Sequence, residues 1–561
     1  MHGYEAVADA LAKEGTEHIF AVSASDNMEL LIDLKDNKGI RVVSARKESG
    51  AAGMADGYSR TTGNPGICTV TLGPGLANAA TSLMTAARHK SPVLCLTTER
   101  NTFDRMSPKG IGLDQRQFVE ALEGTYIRVG HARTLADDMR TAFRRLRSGK
   151  GPVVLALPQE TMKGKLDGDW EYSPVAASMP ARQRVQPDPE PVARAAAILQ
   201  AAKLPVIVAG RGAAEAGAEF EVSSLAELTG SLIATTLMAR GFLARHPYNA
   251  GISGPLASDD MRLLLSGADC VLAVGCGLNV YTVEFGSLYA KAQIIHIDHD
   301  PAVIGSVTPV ALGITGDAKA CLVAIEAELR RQRMKKRRGF WTRDVESLIS
   351  KSRSTRTSPY VQAPDAIDPN ELIAEMDRVL PQERIIVLDG GHHRYFPALG
   401  MSLWDPSQFV WTGDVGSVGL ALYQGIGAAI GRPDKHVAVF VGDGGLMMSL
   451  EELDTAVRYR VPMTVVVMND NAFGSEVHRL KRHGKPVDIA LFDDNPDFAL
   501  VAVALGASGV TVKSAADVRA LAGKVGKADA PFLVDARVNR EVSHPIKVFQ
   551  LGQYANRLHT T

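Results

Sequence analysis

No apolar run in this sequence approaches the roughly 20 consecutive residues that a membrane-spanning helix requires, so no membrane is expected as its setting or partner. Excess charge is also absent. The 62 Lys and Arg residues balance 62 Asp and Glu, and a net charge of zero gives no reason to expect nucleic acid or an anionic surface as a partner. Cysteine is scarce. Cys68, Cys95, Cys270, Cys276 and Cys321 are odd in number, lack the paired spacing of a metal site and mostly fall in apolar strand-like runs. They read as buried, reduced thiols of a cytoplasmic protein. The amino-terminal MHGYEAVADALAKEG is an amphipathic helix with acidic residues and lacks the apolar core of a secretion signal. Aromatic residues are few, and the aliphatic, alanine-rich remainder suits a soluble α/β enzyme.

The stretch from Val437 to Glu476 organises the rest of the chain. Val437 to Val441 is an apolar, β-branched run that stops at Gly442-Asp443-Gly444-Gly445, as a buried parallel strand stops at a tight turn. Leu450, Leu453, Ala456 and Val457 then recur at helical spacing, and Met463 to Met468 forms a second strand. A right-handed strand-helix-strand unit makes the two strands parallel, so Asp443 and the Asn469-Asp470-Asn471 cluster emerge together at the carboxyl ends, where open α/β sheets bind ligands. Two hard oxygen donors among glycines suit Mg²⁺ or Ca²⁺ far better than a soft metal, and Mg²⁺ typically completes its shell with water and phosphate oxygens. A lone Gly-Asp-Gly turn would carry none of this weight.

At 561 residues the chain is long enough for about three or four domains. Alternating helices and strands predict three doubly wound parallel sheets, an α/β architecture. In the first, expected over residues 1–170, strand candidates run from His18 to Val22, Ile40 to Ala45, Gly66 to Leu72, Pro92 to Thr98 and Pro152 to Leu157. Glu48 opens a helix of small residues, which allow another chain or domain to pack closely; read bare, it merely favours the helix amino terminus. Leu72-Gly73-Pro74-Gly75 is a strand-to-helix turn before a helix from Leu76 to Lys90, and Asp114-Gln115 leads into a helical run reaching Arg128.

A linker rich in Pro and charge follows Ser178. A central α/β domain is expected over residues 190–330, with strands at Pro205 to Ala209, Leu232 to Thr236, Cys270 to Gly275 and Gln293 to Asp298. Its Gly210-Arg211-Gly212 is a weak nucleotide signal. The basic run Arg330 to Arg338 opens a linker over residues 331–365, either a solvated helix end or a groove for a phosphorylated or CoA-type ligand. The third domain spans 366–545, followed by a tail over 546–561. In it a strand from Ile385 to Leu388 ends at Asp389-Gly390-Gly391-His392-His393, and Gly413 to Gly419 precedes an Ala/Gly-rich helix. Both turns open toward helix amino termini, as phosphate sites do.

The Gly442 to Asn471 stretch resembles the thiamine-diphosphate motif of the acetolactate synthase and pyruvate decarboxylase superfamily, in which a Gly-Asp-Gly is followed by an Asn-Asn pair. The resemblance spans almost the whole chain in the order pyrimidine-binding, central and diphosphate-binding domain. It implies thiamine diphosphate and Mg²⁺ as cofactors, with Asp443, Asp470 and the Ala472 carbonyl on the metal. Asp470 departs from the usual Asn, placing an extra negative charge beside a diphosphate. Glu48 matches the family's glutamate, although Lys47 stands where His is usual. Its acid would share a proton with the aminopyrimidine ring and promote formation of the carbanion nucleophile.

By the same resemblance Gly73 borders the pyrimidine pocket, Gln115 matches an active-site Gln of the acetolactate synthase branch, and His392 and His393 lie at a diphosphate contact. Gly416 offers a carbonyl to the amino group, Val418 is the wedge that bends the cofactor, and Gly444, Gly445 and Phe473 complete the cofactor-binding set. Glu476 matches a glutamate that decarboxylase types place near the reacting carbon, with an exposed loop residue as the plain alternative. Gly275 to Asn279, GCGLN, lacks the flavin-binding Arg-Phe pattern, so flavin is not expected. The family pairs Glu48 of one subunit with the diphosphate domain of another, which implies a homodimer or homotetramer. The implied activity is cleavage or formation of C–C bonds on a 2-oxo acid or related carbonyl. The alternatives are an acyl-CoA lyase or decarboxylase of the oxalyl-CoA decarboxylase branch and a non-catalytic binding relative.

Overall fold

A computed structural model describes residues 1–100, 113–149, 151–166, 168–179, 184–354, 359–492, 495–526 and 529–544. Its strands form three all-parallel, six-stranded sheets. The first contains β1 (His18–Ala21), β2 (Arg41–Ser44), β3 (Gly66–Val70), β4 (Val93–Glu99), β5 (Thr125–Arg128) and β6 (Val153–Pro158), in the order β2-β1-β3-β4-β6-β5. The second contains β7 (Pro205–Ala209), β8 (Leu232–Thr235), β9 (Asn249–Ile252), β10 (Cys270–Val274), β11 (Gln293–Asp298) and β12 (Leu312–Thr315), in the order β12-β11-β10-β7-β8-β9. The third contains β13 (Arg384–Leu388), β14 (Phe409–Trp411), β15 (His436–Gly442), β16 (Met463–Asn469), β17 (Ser508–Val512) and β18 (Phe532–Arg537), in the order β14-β13-β15-β16-β18-β17. The expected fold class, α/β with three doubly wound sheets, is the one observed. Strands β3, β7 and β13 are buried along their whole length, because helices cover both faces of a parallel sheet.

Contacts divide the chain into two units. One comprises Met1–Ala181, Tyr360–Met401 and Val410–His544, and so holds the first and third sheets; the other comprises Arg182–Pro359 with Ser402–Phe409. Inside the first unit, the Glu48–Thr62 helix lies directly on the Ala421–Gly431 helix. Glycines make that approach possible. A Cβ on Gly57 would lie 2.0 Å from the Gln424 carbonyl oxygen, and one on Gly427 would lie 1.9 Å from that of Met54. The small residues around Glu48 thus receive a domain of the same chain. The Arg60 guanidinium, in the last turn of the Glu48 helix, donates to Asp56 (2.8 Å), to Asp414 (2.9 Å) and to the Trp411 carbonyl (2.8 Å), and Gln424 donates to Asp56 (2.8 Å).

Several sequence expectations need correction. The helix beginning at Gln115 ends at Ala121 instead of reaching Arg128: Glu123 takes a left-handed φ of 62°, Gly124 follows, and the chain re-enters the sheet as β5. The run from Leu76 to Lys90 is two helices, Pro74–Asn78 and Ala80–His89, joined at Ala79. The expected linker over 331–365 contains a helix, Arg343–Ser354.

The basic run is a strap fastened down within the second unit. Lys336 pairs with Glu227 (2.5 Å), the Arg337 side chain donates to the Ala202 carbonyl (2.7 Å), and Arg330 and Arg331 pair with Glu326 and Glu328 of their own helix. That arrangement supports the plain reading of the run over a ligand groove. At the second sheet's switch point, Gly210 and Gly212 pack against the Gly275 backbone, where Cβ atoms would lie 2.2 and 2.9 Å away. Close turn packing therefore accounts for the Gly210-Arg211-Gly212 pattern. All five cysteines are buried and unpaired, and among the described residues no helix is long and apolar enough to cross a membrane.

Gly427→Ala is expected to destabilise the protein by about 1–3 kcal/mol, the usual cost of forcing extra volume against backbone. Its thermal unfolding midpoint, compared with wild type by calorimetry, measures this.

Candidate functional site

In the third sheet the chain runs from β13 outward to β14 and then returns to β15 on the other side, so a crevice opens at the carboxyl ends of β13 and β15. Asp389 follows β13 and is fully buried. Its carboxylate accepts N–H groups from Gly419 (2.8 Å), Leu420 (3.0 Å) and Ala421 (3.2 Å), capping the Ala421 helix and tying the β13 loop to the Gly413 to Gly419 turn. Burial pushes the Asp389 carboxyl up, and these donors pull it back. Gly390 passes so close under that turn that a Cβ would lie 2.7 Å from Val418 Cγ1. Val418 is half-buried there, and Gly416 is exposed with a left-handed φ of 73°.

The two histidines of the β13 loop are buried. Burial pushes both down to about 3, helped at His392 by the neighbouring histidines and at His393 by Arg394 against a hydrogen bond to the Phe440 carbonyl, so both rings are neutral at physiological pH. His393 lies beside Gly442, and its Nε2 is buried without a hydrogen-bond partner. A buried imidazole nitrogen of this kind costs free energy until a ligand or water pairs with it. The His392 ring lies 4.7 Å from that of His478, centroid to centroid, and both His392 and Asp470 crowd Gly474, whose missing Cβ would lie 2.2 Å from Asp470 Oδ2.

Asp443 and Asp470 leave the adjacent strands β15 and β16. Asp443 Oδ2 accepts the Ala472 N–H (3.1 Å) and the Asn495 side-chain amide (2.6 Å). Burial raises both carboxyls above the ordinary range, and the charge of Asp443 raises Asp470 further, against a smaller opposing pull from Arg540. Gly444 packs on the Phe473 ring, with a Cβ there 2.7 Å from Cε1, and Gly445 on Asp389. Asn469, the first residue of the cluster, is structural: its amide donates to Asp535 (2.9 Å), a buried acid inside β18. Sequence reading missed Asn495 and Asp535, and named Asp389 only as the start of its turn, without the capping role. A polar residue at a strand end or inside an apolar run was the available signal for the last two; Asn495 had none.

The first sheet holds a second set. Glu48 is half-buried at the start of its helix; its Oε2 accepts from Asn78 (3.0 Å), and Gly75 lies against its Oε1. Gln115 is buried, and its amide is fully used: the oxygen accepts from Gly73 N–H (3.3 Å) and Thr97 (3.3 Å), while the nitrogen donates to the Thr98 carbonyl (3.0 Å) and Glu99 (3.4 Å). It therefore holds the Gly73 turn. Asp26, which sequence reading also missed, accepts from Thr71 (2.8 Å) and Thr98 at the same place. Among the described residues no hydrogen bond or ion pair joins Glu48, Gly73 or Gln115 to Asp443, Asp470 or the histidines. Glu476 stands exposed in the first turn of the Gly474–Arg482 helix, just past the metal-type loop.

This donor set fits a metal-anchored diphosphate. Among the described residues no group of three or more His, Cys, Asp or Glu side chains is placed to hold a metal alone, which leaves two carboxylates that need phosphate oxygens and water to complete a hard cation's shell. The glycine turns let backbone N–H groups approach the phosphates, and the unpartnered His393 Nε2 can accept a hydrogen bond from water or a ligand donor.

The fold and this crevice define an α/β enzyme built around a diphosphate cofactor. The chain belongs to the thiamine pyrophosphate enzymes. Residues 1–118 match the N-terminal TPP binding domain of that family, residues 192–325 its central domain and residues 389–536 its C-terminal TPP binding domain. The chain is 29% identical to a probable acetolactate synthase large subunit of Methanococcus aeolicus, over 96% of this chain and 92% of that protein. It is 27% identical to the acetolactate synthase isozyme 1 large subunit of Escherichia coli, over 96% and 94%. It is also 27% identical to a sulfoacetaldehyde acetyltransferase of Castellaniella defragrans, over 92% and 88%.

Because folding raises the Asp470 carboxyl, its contribution to stability is present at low pH and is lost as pH rises from the ordinary carboxylate range through that raised value. Asp470→Asn is therefore expected to stabilise chelator-treated protein by about 1–3 kcal/mol at neutral pH and by less near pH 4. Calorimetry across that range checks both the sign and the trend.

Proposed function

We propose that this protein uses thiamine diphosphate and Mg²⁺ to break or form C–C bonds on a 2-oxo acid or related carbonyl, as an acetolactate synthase-like decarboxylase or carboligase. The observation that carries this reading is the pair Asp443 and Asp470, converging beside glycine turns and the neutral His393 at the switch point of the third sheet. Both carboxylates would hold the cation, with the Ala472 carbonyl as the expected third protein ligand. His393, whose other ring nitrogen donates to the Phe440 carbonyl, would offer its Nε2 as an acceptor to a water or ligand N–H or O–H group, and Val418 would support the bend between the rings. When bound, the cofactor supplies a carbon nucleophile that adds to a carbonyl and stores the electron pair released on cleavage.

Glu48 does the proton work in this reading. Its carboxyl would share a proton with the cofactor's pyrimidine ring, while Gln115 holds the neighbouring Gly73 turn and Asn78 donates to the carboxyl. The family resemblance carries the homodimer, in which Glu48 of one subunit would serve the third domain of the other. Gln115 acts through the Gly73 turn, whereas Glu476 is exposed beside Phe473 and free to meet substrate. That contrast favours a proton-handling Glu476 and decarboxylation or cleavage over simple ligation.

Thiamine diphosphate should raise the melting temperature only when Mg²⁺ is present, since a ligand bound by the native state alone stabilises it. Calorimetry without Mg²⁺-dependent binding would end this reading. Glu48→Gln should bind cofactor while slowing proton exchange at the thiazolium carbon by about 10²–10⁴-fold, the range lost with a general acid–base group. The substrate is then sought by following carbon dioxide release from a panel of 2-oxo acids. With it in hand, Glu476→Gln should slow product formation in single turnovers; an unchanged rate returns the carboligase to first place.

A further inference from the structure

We propose that Glu452 is the positioning residue for Glu48, so that the segment leaving the metal-type loop at Asp443 also sets the pose of the glutamate at the start of the neighbouring domain's helix. The inference rests on the proposed function for what Glu48 does, and on geometry for how it is held. Asp443 opens the short Asp443–Met447 helix, and the Glu451–Arg458 helix follows at once. Glu452, in the first turn of the latter, is fully buried. Its Oε1 accepts the backbone N–H groups of both Arg46 and Lys47, each at 2.9 Å. These residues immediately precede Glu48.

The Glu48 helix has no side-chain cap of its own, because its N-cap residue is Lys47. The Glu452 carboxylate from the third domain instead fixes the N-cap residue itself, by accepting the Lys47 N–H, together with the Arg46 N–H before it. The fit is close: a Cβ on Gly50, in the first turn, would lie 2.1 Å from Glu452 Oε1 and 2.6 Å from its Cδ, so only glycine leaves room for the carboxyl group. The rest of the Glu451–Arg458 helix and the residue after it secure the same approach. Asp454 pairs with Arg46 (2.6 Å), the Arg458 side chain donates to the Ser44 carbonyl (2.7 Å), and Tyr459 Oη accepts the Ser44 N–H (2.7 Å). Those three contacts involve partly exposed groups; Glu452 is the buried one, and it contacts the residues next to Glu48. A buried charge-assisted acceptor with two backbone donors tolerates little displacement, and proton transfer is lost when a catalytic group moves by a fraction of an ångström.

The experiment measures two quantities on full-length protein: affinity for thiamine diphosphate with Mg²⁺, and the rate of deuterium exchange at the thiazolium carbon of the bound cofactor. Glu452→Ala frees both N–H groups, and exchange should fall about tenfold or more while affinity changes by less than about threefold, the pattern of a misplaced rather than a missing binding group. Glu452→Gln keeps an oxygen acceptor and should recover exchange to within about threefold of wild type. Gly50→Ala keeps every polar group but displaces the carboxyl, and should reproduce Glu452→Ala. The inference is overturned if folded Glu452→Ala or Gly50→Ala exchanges at the wild-type rate, if exchange and affinity fall by the same factor, or if both variants fail to fold, which would assign Glu452 to stability alone. Wild-type protein that binds no cofactor would overturn the proposed function instead, and the two failures are distinct.

Discussion

Two helices meeting without side chains between them set the geometry of the unit that carries the first and third sheets. The Glu48–Thr62 and Ala421–Gly431 helices touch backbone to backbone at Gly57 and Gly427. At that separation there is no slack for sliding, because each glycine rests on a carbonyl oxygen of its partner. The contact also brings polar groups together out of water. Asp56 and Asp414 pair with Arg60 there, Gln424 donates to Asp56, and a buried guanidinium is tolerable only with such partners. Each helix starts beside a switch point, so fixing one helix on the other fixes the Glu48 end and the Gly413 to Gly419 turn at the same time.

Around this contact, buried carboxylates do two kinds of work. Asp389, Asp535 and Glu452 accept hydrogen bonds from backbone or side-chain amides, and each holds a loop at the carboxyl end of a strand or the start of a helix. Burial raises all three, while their donors favour the charged form. Asp443 and Asp470 differ in facing each other. The charge of Asp443 raises Asp470, a repulsion that a cation between them would relieve, and the neutral His393 beside them holds out an unpartnered Nε2 that can accept a hydrogen bond. Asp389, Asp535 and Glu452 thus hold the loops and helix start next to Asp443, Asp470 and Glu48.

Most of the sheet interiors were legible from sequence, because strands covered by helices on both faces are written as unbroken apolar runs, as in β15 and β16. The strands that sequence reading left out are β5, β9, β12, β14, β17 and β18. All but β18 are sheet edges, where one side of the strand has no neighbour and the apolar run is short or broken. β18 lies inside its sheet but carries Asp535, whose charge interrupts the pattern and whose role, holding Asn469, appears only in three dimensions. The helix expected to reach Arg128 failed for a local reason, a left-handed Glu123 followed by glycine.

The sequence by itself determined the α/β class, the three-domain order and the family, because these rest on periodicity and on motifs whose members are close along the chain. It also singled out Asp443, Asp470 and Glu48, since each belongs to such a motif. Only the tertiary structure decided what surrounds them: that Asn495 binds Asp443, that Asp389 caps the Ala421 helix, that Gln115 is spent on the Gly73 turn, and that Glu452 reaches the start of the Glu48 helix. These contacts join residues far apart in sequence. A hydrogen bond depends on distance and direction in space, and the chain's local pattern encodes neither for partners that meet only when sheets and helices pack.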